Sequence, residues 1–239
     1  MADQGIGAAD AAASATTIVL TTTATVTVGQ LIVVGLGNFS AATPASVTDS
    51  AGNVYTLDNP RTSTQDSGQK AAIFSAPCTT QLPSGGTITG TYSIASVDRM
   101  VVAGELDAVD QSAGRVDVVT DADNGAVVGW DTTSVATNNA ADVLVGLGVA
   151  GNNNPTSLPG GGATELQERA SGGIGDSLVL QFLRVTSTGS YNSAGTWSIA
   201  PALSMGLLVA YKSLLLEKPP VNPDYSQFPR FLQSRKGTV

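Results

Sequence analysis

The sequence predicts an all-β chain: a jelly-roll-like antiparallel β-sandwich with an internal pseudo-twofold repeat and an extended C-terminal arm. Three observations carry this. Of 239 residues only 13% are charged, against 42% hydrophobic and 27 Gly, so strand and turn formers outweigh the Glu, Lys and Leu that sustain helices. Short apolar runs recur between clusters of Gly, Asn, Asp and Pro, the spacing of a sandwich or barrel. Blocks of the first half also return in the second, in the same order and at similar distances.

Taken from the N-terminus, residues 1–15 read as a segment preceding the sandwich, which itself spans 16–216. Asp3 and Asp10 stand where a secretory signal would carry Lys or Arg, so no signal peptide is expected. Strands follow at 16–28, 30–37, 69–76 and 87–104, with 53–57 as a short addition. The turn between 47 and 57, VTDSAGNVYTL, is built by Asp49, whose carboxylate can accept backbone N–H groups two residues on, and by Gly52 and Asn53, which tolerate positive φ. The stretch from 106 to 130 has no Pro and keeps alternating Val residues, so it belongs to the fold rather than to a linker.

The second half supplies strands at 127–137, 142–149, 177–186 and 195–213. Here Val-Gly-Leu-Gly at 145–148 echoes the same four residues at 34–37, and Trp197-Ser-Ile-Ala echoes Tyr92-Ser-Ile-Ala. The pseudo-repeats are therefore about 16–108 and 127–215, with Val33 matched to Leu144 and Ile94 to Ile199. Four strands alone would leave exposed edges and a bare sheet face. Equivalent strands are thus expected to interleave into one two-sheet domain.

Composition also limits the chemistry. The chain has no His and a single Cys, Cys78, which removes His-dependent nucleophile activation, His-containing metal sites and an internal disulfide. A formal charge of -8 and the absence of a basic cluster in the body argue against nucleic acid, and the apolar runs are too short for a helical membrane span. Asp121, Asp123 and Gly125 resemble the start of a calcium loop, but an EF-hand would need Glu where Thr132 stands. Glu105 and Asp107 share one strand face as a carboxylate pair at a strand exit. The Gly-rich stretch 158–168 lacks the Gly-Lys-Ser/Thr ending of a phosphate loop and reads as surface loop. Trp130, Tyr92, Tyr191 and Trp197 sit in or beside predicted strands, where core packing is the default and sugar stacking the functional alternative. No catalytic residue, cofactor or metal is expected.

The succession VTDSAGNVYTL, QKAAIFSAP, GGTITGTYSIASVDRMVVAGELDAVDQSA and ADVLVGLGVA resembles a family of bacterial and bacteriophage β-sandwich domains that carry an Asp-x-x-Gly-Asn-x-Tyr turn and an Ile-Phe-x-Ala-Pro-like strand. The resemblance covers roughly residues 20–213. It implies a jelly-roll-like domain of phage virion proteins, minor tail proteins especially, or of bacterial surface proteins, without enzymatic activity.

Residues 217–239 differ from everything before them. They hold four of the eleven prolines, Pro219, Pro220, Pro223 and Pro229, and four of the eleven basic residues, a composition that favours an extended chain over a helix. With four basic and two acidic residues the arm carries a charge of +2, which leaves -10 for residues 1–216. Tyr225, Phe228 and Phe231, with Arg230, Arg235 and Lys236, are the expected docking residues for another copy or another virion protein. The sequence therefore leads to a non-enzymatic structural protein of a phage virion, made in the host cytoplasm and assembled as a homo-oligomer or against a virion neighbour. A minor tail or tail-tip subunit comes first, a capsid decoration protein second, and a carbohydrate-binding or host-adhesion module third.

Overall fold

The computed structural model describes residues 3–65, 68–171 and 175–214. Among these the chain is all-β, without helix, and every strand pairing is antiparallel. The first half runs β1 (Gln4–Ala11), β2 (Ala15–Thr21), β3 (Leu31–Asn38), β4 (Pro44–Asp49), β5 (Thr56–Thr62), β6 (Lys70–Pro77), β7 (Thr87–Ser96) and β8 (Arg99–Leu106). The second runs β9 (Val116–Asp123), β10 (Gly129–Asp131), β11 (Val135–Ala136), β12 (Asp142–Gly151), β13 (Ser157–Pro159), β14 (Thr164–Ala170), β15 (Ser177–Val185), β16 (Ser190–Tyr191), β17 (Ala194–Trp197) and β18 (Leu203–Lys212).

Each half builds its own sheets. The first forms a five-stranded sheet, β1-β8-β3-β6-β5, and a three-stranded sheet, β2-β7-β4; the second forms β14-β15-β12-β18-β9, β10-β17-β13 and the pair β11-β16. The expected interleaving of the halves is therefore corrected: no named strand of one half pairs with a named strand of the other. Instead the two five-stranded sheets stack face to face, and each is covered on its outer face by the smaller sheets of its own half. The central layer holds Leu31, Val33, Ile73 and Val102 against Val145, Leu147, Leu180 and Val209. Ile18, Leu20, Val47, Ile88 and Tyr92 pack on Ile32, Val34, Leu36 and Phe74 on one outer side. Trp130 and Trp197 with Ala150 and Val179, and Leu144 and Leu208 with Val135 and Tyr191, fill the other.

Burial on both faces explains why β3, β8 and β12 are near-continuous apolar runs, each buried along its whole length. A strand with one wet face alternates instead, as β2 does. Where two such sheets meet, glycine makes room. A Cβ on Gly35 would fall inside the contact distance of Leu147 Cδ1, and one on Gly148 would meet the Trp130 ring.

Several sequence expectations change. Residues 4–11 are not a leading segment but an edge strand of the first large sheet, with Ile6 in the core. The run 87–104 divides into β7 and β8 at Asp98, whose φ is 58°. The expected core placements change as well: Val33 faces the central layer while its match Leu144 faces the outer one, and Ile94 and Ile199 are alike in environment but 53% and 50% exposed rather than core. The halves nevertheless share a strand order. Counting β10 with β11 and β16 with β17, both large sheets join the first, eighth, third, sixth and fifth strands of their half, and both three-stranded sheets join the second, seventh and fourth.

Candidate functional site

The expected docking residues Tyr225, Phe228, Phe231, Arg230, Arg235 and Lys236 lie outside the described residues. The segment leading toward them is fixed to the body. Lys212 N–H donates to Arg115 O at 2.8 Å and its carbonyl accepts from Asp110 N–H at 2.9 Å, while Ser213 N–H reaches Ala141 O at 2.9 Å and Leu214 N–H reaches Ala108 O at 2.7 Å. The Lys212 ammonium adds a bond to Gly114 O at 2.8 Å. The last described residues, Lys212–Leu214, are thus held against the segment that joins the two halves.

The Asp49 turn is occupied by its own structure. Asp49 Oδ1 accepts from Ala51 and Asn53 N–H at 2.9 and 3.1 Å, and Oδ2 from the Asn53 amide and Tyr55 OH at 2.9 and 3.0 Å. Asn53 in turn accepts from Thr79 and Thr80 N–H and donates to Thr80 O, each at 2.9 Å. Burial, followed by the Asp49 charge, raises the Tyr55 phenol far above its usual range, so it stays a donor. The turn ties 49–55 to the start of the 79–82 loop.

The other candidate acids also have internal partners. Asp121 and Asp123, on β9, bind Arg61 of β5 at 2.6 and 3.0 Å, and Thr64 N–H adds a bond to Asp123 at 2.7 Å. Glu105 is buried and accepts from the Gln4 amide. Trp130 and Trp197 pack together with ring centroids 6.0 Å apart and are 2% and 1% exposed, and Tyr92 is 2% exposed, so none of the three offers a face to a sugar. The stretch 158–168 is not all loop: it turns at 160–163 between β13 and β14.

Two polar features escaped the sequence reading. One joins the halves: Asp58 on β5 accepts from Tyr211 OH of β18 at 2.7 Å and from Ser75 Oγ, while Arg115 Nε donates to Ser75 Oγ at 2.9 Å. Arg115 Nη2 lies 3.8 Å from Asp58, and burial still raises the Asp58 carboxyl above its usual range. Asn59 beside it donates across the interface to Thr120 O and Leu208 O, at 3.0 and 3.1 Å.

The second is a polar cleft of about 120 Å³ at the ends of the large sheets, lined by Phe39, Gln69, Asp98, Gly151, Asn152, Asp176 and Leu203. Asp98 comes from the β7–β8 turn and Gln69 precedes β6, while Asn152 and Asp176 come from the end of β12 and the start of β15. Asp176 accepts from Asn152 N–H at 3.0 Å. Burial first, then the charge of Asp98, pushes the Asp176 carboxyl up to about 7, and burial raises Asp98 as well. Gln69 is 2% exposed, and among the described residues neither atom of its amide has a partner. The backbone here is unusual: Asn152, Asn153 and Asn154 all have positive φ, at 65°, 69° and 50°, a conformation Asn tolerates better than most residues. The sequence signal for this cleft was only the Asn triplet, since its parts are far apart in the chain.

No protein-family model, curated protein or solved structure matches this chain.

Proposed function

We propose that this chain is a non-enzymatic structural subunit of a bacteriophage virion, a minor tail or tail-tip protein that joins its neighbours through residues 217–239. The observation that carries the reading is the charge contrast between a +2 segment, 217–239, and a body of charge -10 whose last described residues, Lys212–Leu214, are clamped to it. A basic, aromatic segment following such a clamp would be drawn to a neighbouring acidic body, gaining orientation from charge and affinity from its aromatics. Stacked sheets with apolar layers between them give the rigid brick that repeated assembly requires, and their shared strand order supports an internal duplication. A capsid decoration protein is the nearest alternative, because the same brick and arm suit a lattice. The adhesion reading has less support, since the tryptophans that could have stacked on sugar are buried.

The test is the position of the chain in intact particles, read from a low-resolution map of virions carrying a labelled copy. A few copies at the tail tip support the leading reading, and many regularly spaced copies on the head select decoration. Absence of the chain from purified particles excludes both.

A further inference from the structure

We infer that the cleft between the two halves binds a hydrated divalent cation, with calcium the best fit, held by Asp98, Asp176 and the side-chain oxygen of Gln69. Among the described residues every charged group lining it is an acid, and no Lys or Arg lines it. Asp176 is buried and Asp98 half-buried, so two carboxylates share the cleft with no described counter-charge in it, an arrangement that a cation between them would relieve.

Gln69 supplies an independent observation. A buried amide with no partner forfeits its hydrogen bonds to water, and a ligand at the cleft would recover them. Because neither its nitrogen nor its oxygen is committed, the amide is free to turn its oxygen inward. Carboxylate and amide oxygens are the hard donors that calcium selects, and its coordination tolerates irregular geometry. Volume agrees: about 120 Å³ holds roughly four waters at ~30 Å³ each, room for an ion that keeps part of its hydration shell. Among the described residues no three acidic or thiol groups gather around one point, so with two carboxylates the affinity belongs at the weak end, Kd about 10⁻⁴ to 10⁻³ M.

The ion would bridge Gln69 and Asp98 of the first half to Asp176 of the second, so binding should add to the stability of the whole chain.

Isothermal titration of the full chain with calcium chloride at pH 8, alongside melting curves in 10 mM calcium or in chelator, tests this. Expected are a saturable heat and a rise in Tm of about 3–10 °C. Asp98→Asn and Asp176→Asn keep the backbone conformation and the Asn152 hydrogen bond available, and each should melt in chelator at or above wild type yet lose the calcium-dependent rise. Gln69→Met should weaken binding about tenfold. The inference is overturned if wild type shows no saturable heat, if the rise survives in both Asp variants, or if a monosaccharide panel saturates the cleft in chelator and that binding is lost in Gln69→Met.

Discussion

Asp142 shows how a buried acid beside a second carboxylate shapes the pH response of this fold. It is fully buried, accepts from the Asn139 amide through Oδ1, and leaves Oδ2 without a partner. Burial first, then the charge of Asp117, pushes its carboxyl up to about 6. An acid whose pKa is raised on folding binds its proton more tightly in the native state, so its stabilising contribution is complete below its unfolded value of 3.8 and is lost as pH rises through about 6. Asp142→Asn should therefore leave stability at pH 4 nearly unchanged and raise it at pH 7.5 by on the order of 1 kcal/mol relative to wild type. Urea unfolding at the two pH values checks this, and equal effects at both would contradict it. At this level the sequence spoke unevenly. The Asp49 turn was legible because all its parts lie within seven residues and follow local turn chemistry. Asp98 and Asp176, or Asp58 and Tyr211, are brought together only by sheet stacking, and nothing in their own neighbourhoods marks them.

Among the strands, the two Val-Gly-Leu-Gly runs turn opposite faces to the same kind of environment. Val34 and Leu36 of β3 point to the outer layer, while Val145 and Leu147 of β12 point to the central one. Their existence as strands was readable, but their facing was not. A strand buried on both sides has no polar alternation, and a one-residue shift exchanges every side chain between faces without changing the composition. β1 was missed for a different reason. Its sequence, QGIGAADA, has little strand propensity, and its place depends on pairing with β8 and on ion pairs of Asp3 with Arg184 and Asp10 with Arg169. The glycines of β3 carry a testable consequence. Gly35→Ala pushes a methyl into Leu147 Cδ1 and Val102 Cγ2 in the central layer, and overpacking of this kind should cost about 1–3 kcal/mol. Gly129→Ala, where a Cβ would meet nothing within 4 Å, should be neutral or slightly stabilising in the same denaturation series. Equal losses at the two positions would mean that the sheets separate more easily than their packing implies.

For the molecule as a whole, the halves are joined through the central apolar layer and by polar ties at both margins. Arg61 to Asp121 and Asp123, Asn59 to Leu208 and Asp58 to Tyr211 close one side, and Asp3 to Arg184 and Asp10 to Arg169 close the other. Class and approximate strand content followed from composition, whereas the stacking of two separate sandwiches did not. Similar halves can interleave or stack with nearly the same set of apolar runs, and the choice rests on which strand edges pair. The layers described above are built from residues 3–214, and the premise of the proposed assembly is that residues 217–239 act outside them. Burying Tyr225, Phe228 and Phe231 elsewhere would gain roughly 1.5–3 kcal/mol each, too little to offset ordering of the whole arm at about 1–2 kcal/mol per residue. Contacts from Arg230, Arg235 and Lys236 and short main-chain pairing must add to them. The most direct test compares the full chain with a deletion of residues 219–239, by melting temperature and by mass in solution or incorporation into particles. The account predicts an unchanged melting temperature together with loss of assembly; a truncated chain that unfolds, or one that still assembles, would contradict it.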